Sequence, residues 1–95
     1  MNKCKLIAEI GWNHMGNMAL AEKMISEASR SGAEYCKFQT WKVKNLKDGP
    51  WNTDGRLEIY KKAELSDQDH SKLVDLCKKN KINFLTSVFN IKDIE

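Results

Sequence analysis

Apolar and polar positions follow two rhythms along the chain. Lys5-Leu-Ile-Ala-Glu-Ile10 is a short apolar run that stops at Gly11, the pattern of a buried strand. After the loop from Gly11 to Asn17, Leu20, Ala21, Met24, Ile25 and Ala28 recur at helical spacing. Asn17 stands where a helix cap accepts a backbone N–H, and Ser31-Gly32 provides the stop. Tyr35-Cys-Lys-Phe-Gln39 returns to the strand pattern. Strand, helix and strand within about 35 residues is the size of a right-handed crossover joining parallel strands.

Thr40 to about Gly55 is a long polar loop with Asp48-Gly49-Pro50 and Asp54-Gly55 turn signals. Leu57, Ile59 and Tyr60 predict a short helical turn. Ser66 with Asp69 three residues on is a capping signature, opening a helix whose inner face is His70, Leu73, Val74 and Cys77 and which ends at Asn80 or Lys81. Ile82 to Ser87 predicts a third strand, and Asn90 a cap for a helix beginning at Ile91. Parallel strands need both faces covered and their edges paired. The expectation is the front of a larger α/β protein rather than a free-standing three-stranded domain.

At 95 residues the chain holds one domain at most. A hydrophobic fraction of 41% with a formal charge of only +3 excludes the disordered class. The cationic side chains are nearly all Lys and scattered, without the Arg-rich or aromatic-interleaved patches of a nucleic-acid module. No apolar run approaches a membrane span, and Glu9 interrupts the first one too early for a signal peptide. Cys4, Cys36 and Cys77 are odd in number and widely spaced. They read as reduced, mostly buried thiols of a cytoplasmic protein, and a zinc site is not expected.

Each strand carries polar residues toward its C-terminal end: Glu9, then Lys37 and Gln39, then Thr86 and Ser87. Alternation places Glu9 on the face of Ile7, Lys37 and Gln39 on that of Tyr35, and Ser87 on that of Leu85. Ligands of parallel α/β folds bind beyond the carboxyl ends of the strands. The plain alternative is a buried Glu9–Lys37 ion pair without chemistry. Gly11 and Gly16 have the spacing of a phosphate loop, but Asn17 and Met18 replace its Lys and Ser/Thr, and Gly-x-Gly-x-x-Gly is missing. Both nucleotide readings fall. His70 reads as a packed core or boundary residue. For His14, beside Asn13 in a strand-tip loop, lining the site and packing are evenly matched. Trp12, Trp41 and Trp51 fall in loops at this same end, either as an apolar wall for a sugar or as loop packing.

Ile7-Ala-Glu-Ile-Gly-Trp-Asn-His14, Lys37-Phe-Gln-Thr40, Glu64-Leu-Ser with His70, and Phe84-Leu-Thr-Ser-Val-Phe89 occur in this order. Together they resemble the amino-terminal part of the N-acetylneuraminate (sialic acid) synthase family. The resemblance implies that residues 1–95 are the first three strand–helix units of a (β/α)8 TIM barrel, incomplete in this chain. It implies condensation of phosphoenolpyruvate with an N-acetylated amino sugar, N-acetylmannosamine or a relative, with release of phosphate. It also implies a divalent metal, Mn or Mg, held by histidines of later strands, and a homodimer at full length. On that footing the chain alone should not catalyse.

Residue by residue, Lys37 resembles the lysine that holds phosphoenolpyruvate and Glu9 an acidic group near the reacting carbons. Gln39 resembles a polar residue beside the metal-bound water, and Asn52 loosely matches a sugar-binding asparagine. Ser87 falls where the family has a hydroxyl near the phosphate. The family's Ser-Thr-Pro-Phe is Thr86-Ser87-Val88-Phe89 here, so the hydroxyl survives and the proline does not. The sequence without the resemblance leaves a second reading, a small non-catalytic α/β module that binds anions through Lys37 and the strand tips.

Overall fold

The computed structural model describes residues 4–94. Three parallel strands, β1 (Ile7–Gly11), β2 (Tyr35–Thr40) and β3 (Asn83–Val88), form one sheet in the order β1-β2-β3. Helix α1 (Met18–Arg30) connects the first two. Helices α2 (Arg56–Ala63) and α3 (Asp67–Lys79) lie between the second and third.

The predicted caps hold. Asn17 Oδ1 accepts from the Leu20 N–H at 3.1 Å. Ser66 and Asp69 form a reciprocal capping box, each side chain accepting the other's N–H at 3.0 Å. Both long helices end in the same way. The Ala33 N–H reaches back to the Ala28 carbonyl across Gly32 (φ +92°), and the Ile82 N–H to the Cys77 carbonyl across Lys81 (φ +57°). That bond commits Ile82 to the helix terminus, which is why β3 starts at Asn83 rather than Ile82. Helix α2 is longer than the single turn expected. Gly55 turns the chain with φ +98°, Glu58 lies in the first turn and Lys61 and Lys62 in the last, and Ala63 is buried. Past β3, Asn90 does cap, accepting from the Lys92 N–H, but only a 3-10 turn follows at Ile91–Asp93. Glu95 lies outside the described residues.

Helices α1 and α3 cover one face of the sheet. Ala21, Ile25, Leu73 and Cys77 pack there on Ile10, Cys36 and Phe38, with Leu65 closing the α2–α3 corner. Phe38 stacks on Phe84 at 5.6 Å between ring centroids. Ser29 Oγ donates to the Asn80 carbonyl at 2.6 Å and ties the two helix ends together. Cys36 and Cys77 are buried and Cys4 is exposed. A hydrogen bond with Cys36 holds the Cys77 thiol protonated, pushing its pKa upward. The opposite face of the sheet is bare, leaving Ile7 and Leu85 exposed. Among the described residues no helix is long and apolar enough to cross a membrane.

Candidate active site at the strand tips

The bare face carries the polar residues expected on it. Glu9, Lys37 and Leu85 stand in one row across the three strands, and Gln39 pairs with Ser87 in the row nearer the carboxyl ends. Lys37 Nζ lies 3.3 Å from Glu9 Oε1. The pair is not buried: 33% of the Lys37 side chain and 51% of the Glu9 side chain are exposed. Within these residues the pair is therefore not shielded from water. The Gln39 amide and the Ser87 hydroxyl make no hydrogen bond among the described residues, so both are available to a ligand.

The first strand is irregular where it reaches this site. The register slips between Glu9 and Gly11, and Gly11 takes φ +60°, a conformation that favours glycine. A Cβ at Gly11 would stand 3.8 Å from Gln39 Cδ and 3.9 Å from Glu9 Oε2. The missing side chain leaves open the space between that amide and that carboxylate. Gly16 serves a different end. With φ +80°, its Cα comes so close to α2 that a Cβ would lie 2.1 Å from the Lys62 carbonyl oxygen. The two glycines thus serve a bulge and a close packing contact.

Four polar residues, His14, His70, Thr40 and Thr86, lie away from this face, on the side of the helix layer. His14 is fully buried and 6.1 Å from the Phe38 ring, with its Nδ1 accepting from the Gly16 N–H at 2.9 Å. Burial lowers its pKa, against a smaller opposing pull from Asp69, so it is a neutral packing residue that braces the β1–α1 loop. His70 Nδ1 donates to the Ser66 carbonyl at 2.9 Å, since a carbonyl can only accept. Its Nε2 meets Thr40 Oγ1 at 2.9 Å, and Thr40 Oγ1 meets Thr86 Oγ1 at 2.7 Å. His70 is the boundary residue expected. Thr86 belongs with this network and Ser87 with the open face.

The three tryptophans come together. Trp12 and Trp41 are 6.4 Å apart edge to face, and Tyr60 of α2 lies within 6.4 Å of Trp12, 5.8 Å of Trp41 and 5.7 Å of Trp51. With Leu46 and Phe89 they wall a pocket of about 230 Å³ that opens beside Gln39 and the stem of Lys47. The sequence marks Tyr60 only as part of a helical turn and Leu46 not at all, because only the folded loop brings them to the tryptophans. Asn52 is absent from the pocket walls. Its amide accepts from the Gly49 N–H at 3.1 Å and donates to Asp48 at 3.2 Å, bracing its own turn. Glu64-Leu-Ser works as scaffold: Glu64 Oε1 accepts from the Val43 N–H at 2.7 Å, Leu65 is buried and Ser66 caps α3. Among the described residues no three His, Cys, Asp or Glu side chains converge as metal ligands.

Parallel strands joined by helices on one face, with open polar tips at their carboxyl ends, define the class: the first strand–helix units of a (β/α)8 barrel. A sialic acid synthetase structure from Leptospira borgpetersenii serovar Hardjo-bovis, in complex with citrate, superposes with a TM-score of 0.80 at 27% identity, over 98% of this chain and 32% of that one. The NeuB family profile matches residues 24–95, and the chain belongs to that family. The N,N'-diacetyllegionaminic acid synthase of Campylobacter jejuni is 36% identical over 100% of this chain and 32% of its own length. The pseudaminic acid synthase of Helicobacter pylori is 28% identical over 96% of this chain and 30% of its own. The chain therefore spans about a third of the length of these relatives.

Proposed function

We propose that the intact protein condenses phosphoenolpyruvate with an N-acetylated amino sugar to a nonulosonic acid, releasing phosphate. The observation that carries this reading is the set of Glu9, Lys37, Gln39 and Ser87 on one open face at the strand tips. Membership of a family whose named members are legionaminic, pseudaminic and sialic acid synthases supports it.

Phosphoenolpyruvate is a small polyanion, and the Lys37 ammonium would bind and orient its phosphate or carboxylate. Ser87, one strand across from Gln39, would donate to a phosphate oxygen. Carbon three of the enol attacks the open-chain sugar's aldehyde carbon, forming the carbon–carbon bond while the aldehyde oxygen gains a proton. Water adds to carbon two, and the Glu9 carboxylate would orient or deprotonate it. Collapse of the tetrahedral species breaks the bond to the phosphate oxygen, leaving a ketone and free phosphate. A divalent metal, Mn or Mg, would be held from outside these residues, so the 95-residue chain alone is expected to be inactive.

The test is phosphate release by the intact protein from phosphoenolpyruvate with N-acetylated amino sugars, in wild type and Lys37→Ala. Acceptor-dependent release that Lys37→Ala abolishes supports the proposal. Phosphoenolpyruvate binding without turnover on any acceptor would instead favour an anion-binding role and overturn it.

A further inference from the structure

We propose that the aromatic pocket beside Gln39 receives the N-acyl substituent of the acceptor sugar, so that its walls set which acyl groups are accepted. The assignment rests on the synthase reading above and deepens it.

Position argues first. Trp12 follows β1, Trp41 follows β2 and Phe89 follows β3, so the pocket is built from three successive strand tips and adjoins the face that carries Lys37. Chemistry argues next. Two of the indole N–H groups already have partners: Trp41 Nε1 donates to the Tyr60 carbonyl at 3.0 Å and Trp51 Nε1 to the Lys47 carbonyl at 2.8 Å. Those two residues offer a ligand ring faces and edges only. The Gln39 amide lines the same pocket without a hydrogen bond among the described residues, able to donate to an acyl carbonyl or accept from an amide N–H. A mostly apolar recess whose lining includes the free Gln39 amide and the Trp12 indole N–H, unpaired among the described residues, matches a short acyl chain on an amide nitrogen.

Size points the same way. About 230 Å³ is below the roughly 300–1,000 Å³ that holds a whole drug-sized ligand. It suits a substituent, with room beyond an acetyl methyl. A phosphoryl group fits poorly, because its oxygens would be desolvated against indole rings. Lys47 does not reverse this: the residue is exposed, its stem lining the pocket while its ammonium can reach water.

The experiment uses the intact protein with saturating phosphoenolpyruvate and one sugar carrying a free amine, an N-acetyl or an N-propanoyl group. Phosphate release is followed against acceptor concentration. The wild type should prefer both acylated forms to the free amine by at least ~10-fold in kcat/KM, the scale of losing matched apolar contacts. Trp51→Ala should narrow that preference. Leu46→Trp, which fills the recess, should penalise N-propanoyl more than N-acetyl by ~10-fold. If both variants change all three acceptors by a common factor, the pocket does not read the acyl group and the assignment is overturned. If the wild type releases phosphate with none of them, the synthase reading is overturned and takes this assignment with it.

Discussion

Lys37 Nζ and Glu9 Oε1 lie 3.3 Å apart on neighbouring strands, yet half of the Glu9 side chain faces solvent. Such a pair contributes little to the fold, on the order of 0–1 kcal/mol. In this chain, Lys37→Ala should therefore cost about 0–1 kcal/mol of stability. In the intact protein it should weaken phosphoenolpyruvate use by about 2–5 kcal/mol, the range for removing one partner of a desolvated charged contact. Thermal unfolding and phosphate release, measured for Lys37→Ala, Glu9→Gln and the double variant, check this. Near-normal turnover in the double variant would sink the substrate-binding role.

Gly16 and Gly32 both have positive φ, +80° and +92°, but only Gly16 abuts another backbone. Gly32→Ala should cost about 1 kcal/mol, from the left-handed conformation alone. Gly16→Ala adds a collision with the Lys62 carbonyl and should cost about 2–4 kcal/mol. Denaturant titration of the two variants isolates the contact. Equal losses would mean that α2 simply moves away.

Buried, neutral His14 makes stability depend on pH. Its folded pKa is depressed below the ordinary histidine value, so below about pH 6.5 the unfolded chain takes up a proton that the folded chain resists. The stability that His14 provides is complete above about pH 6.5 and is lost as the pH falls toward the folded pKa. The unfolding midpoint should drop on acidification from pH 7 to 5, and His14→Gln should flatten that drop. An unchanged slope in His14→Gln would assign the effect to other groups.

Thr40 sits between His70 Nε2 and Thr86 Oγ1. Thr40→Val should cost about 1–3 kcal/mol by leaving both partners unsatisfied in a partly buried setting. Thr86→Val added to it should cost less than its single effect, because the shared bond is already gone. Additive losses in chemical denaturation would show that the three side chains act independently.

The helices and strands were readable where a local rule governs them. Asn17 and the Ser66–Asp69 box fixed two helix starts, and period-two alternation put Glu9, Lys37, Gln39 and Ser87 on one face. What escaped was set by the chain's return on itself. The loop position of His14 gave no sign of which side of the sheet its ring would take. The register slip at Gly11 carries no pattern, and Ile82 was apolar enough to be read as strand although its N–H closes α3. The tryptophans were visible as residues but not as a cluster, because Tyr60 organises them from a helix 19 positions beyond Trp41.

The excursion from β2 to α3 is clasped near both of its ends. Glu64 accepts from Val43 across 21 positions, and Trp41 donates to the Tyr60 carbonyl across 19. Past Asn45, whose amide donates to Asp93 and whose carbonyl accepts from Asn90, the loop returns to its own root. Its closure entropy changes only slowly with length, by about 0.6 kcal/mol for each doubling. Residues 46–55 can therefore be lengthened, shortened or recast while the strands under them keep their register. Leu46, Lys47 and Trp51 lie inside this clasp, whereas Glu9, Lys37 and Ser87 lie outside it. Selection can retune the walls of the pocket without touching the charges at the strand tips, and a grafted loop that keeps Val43 and Glu64 should carry its own preference with it.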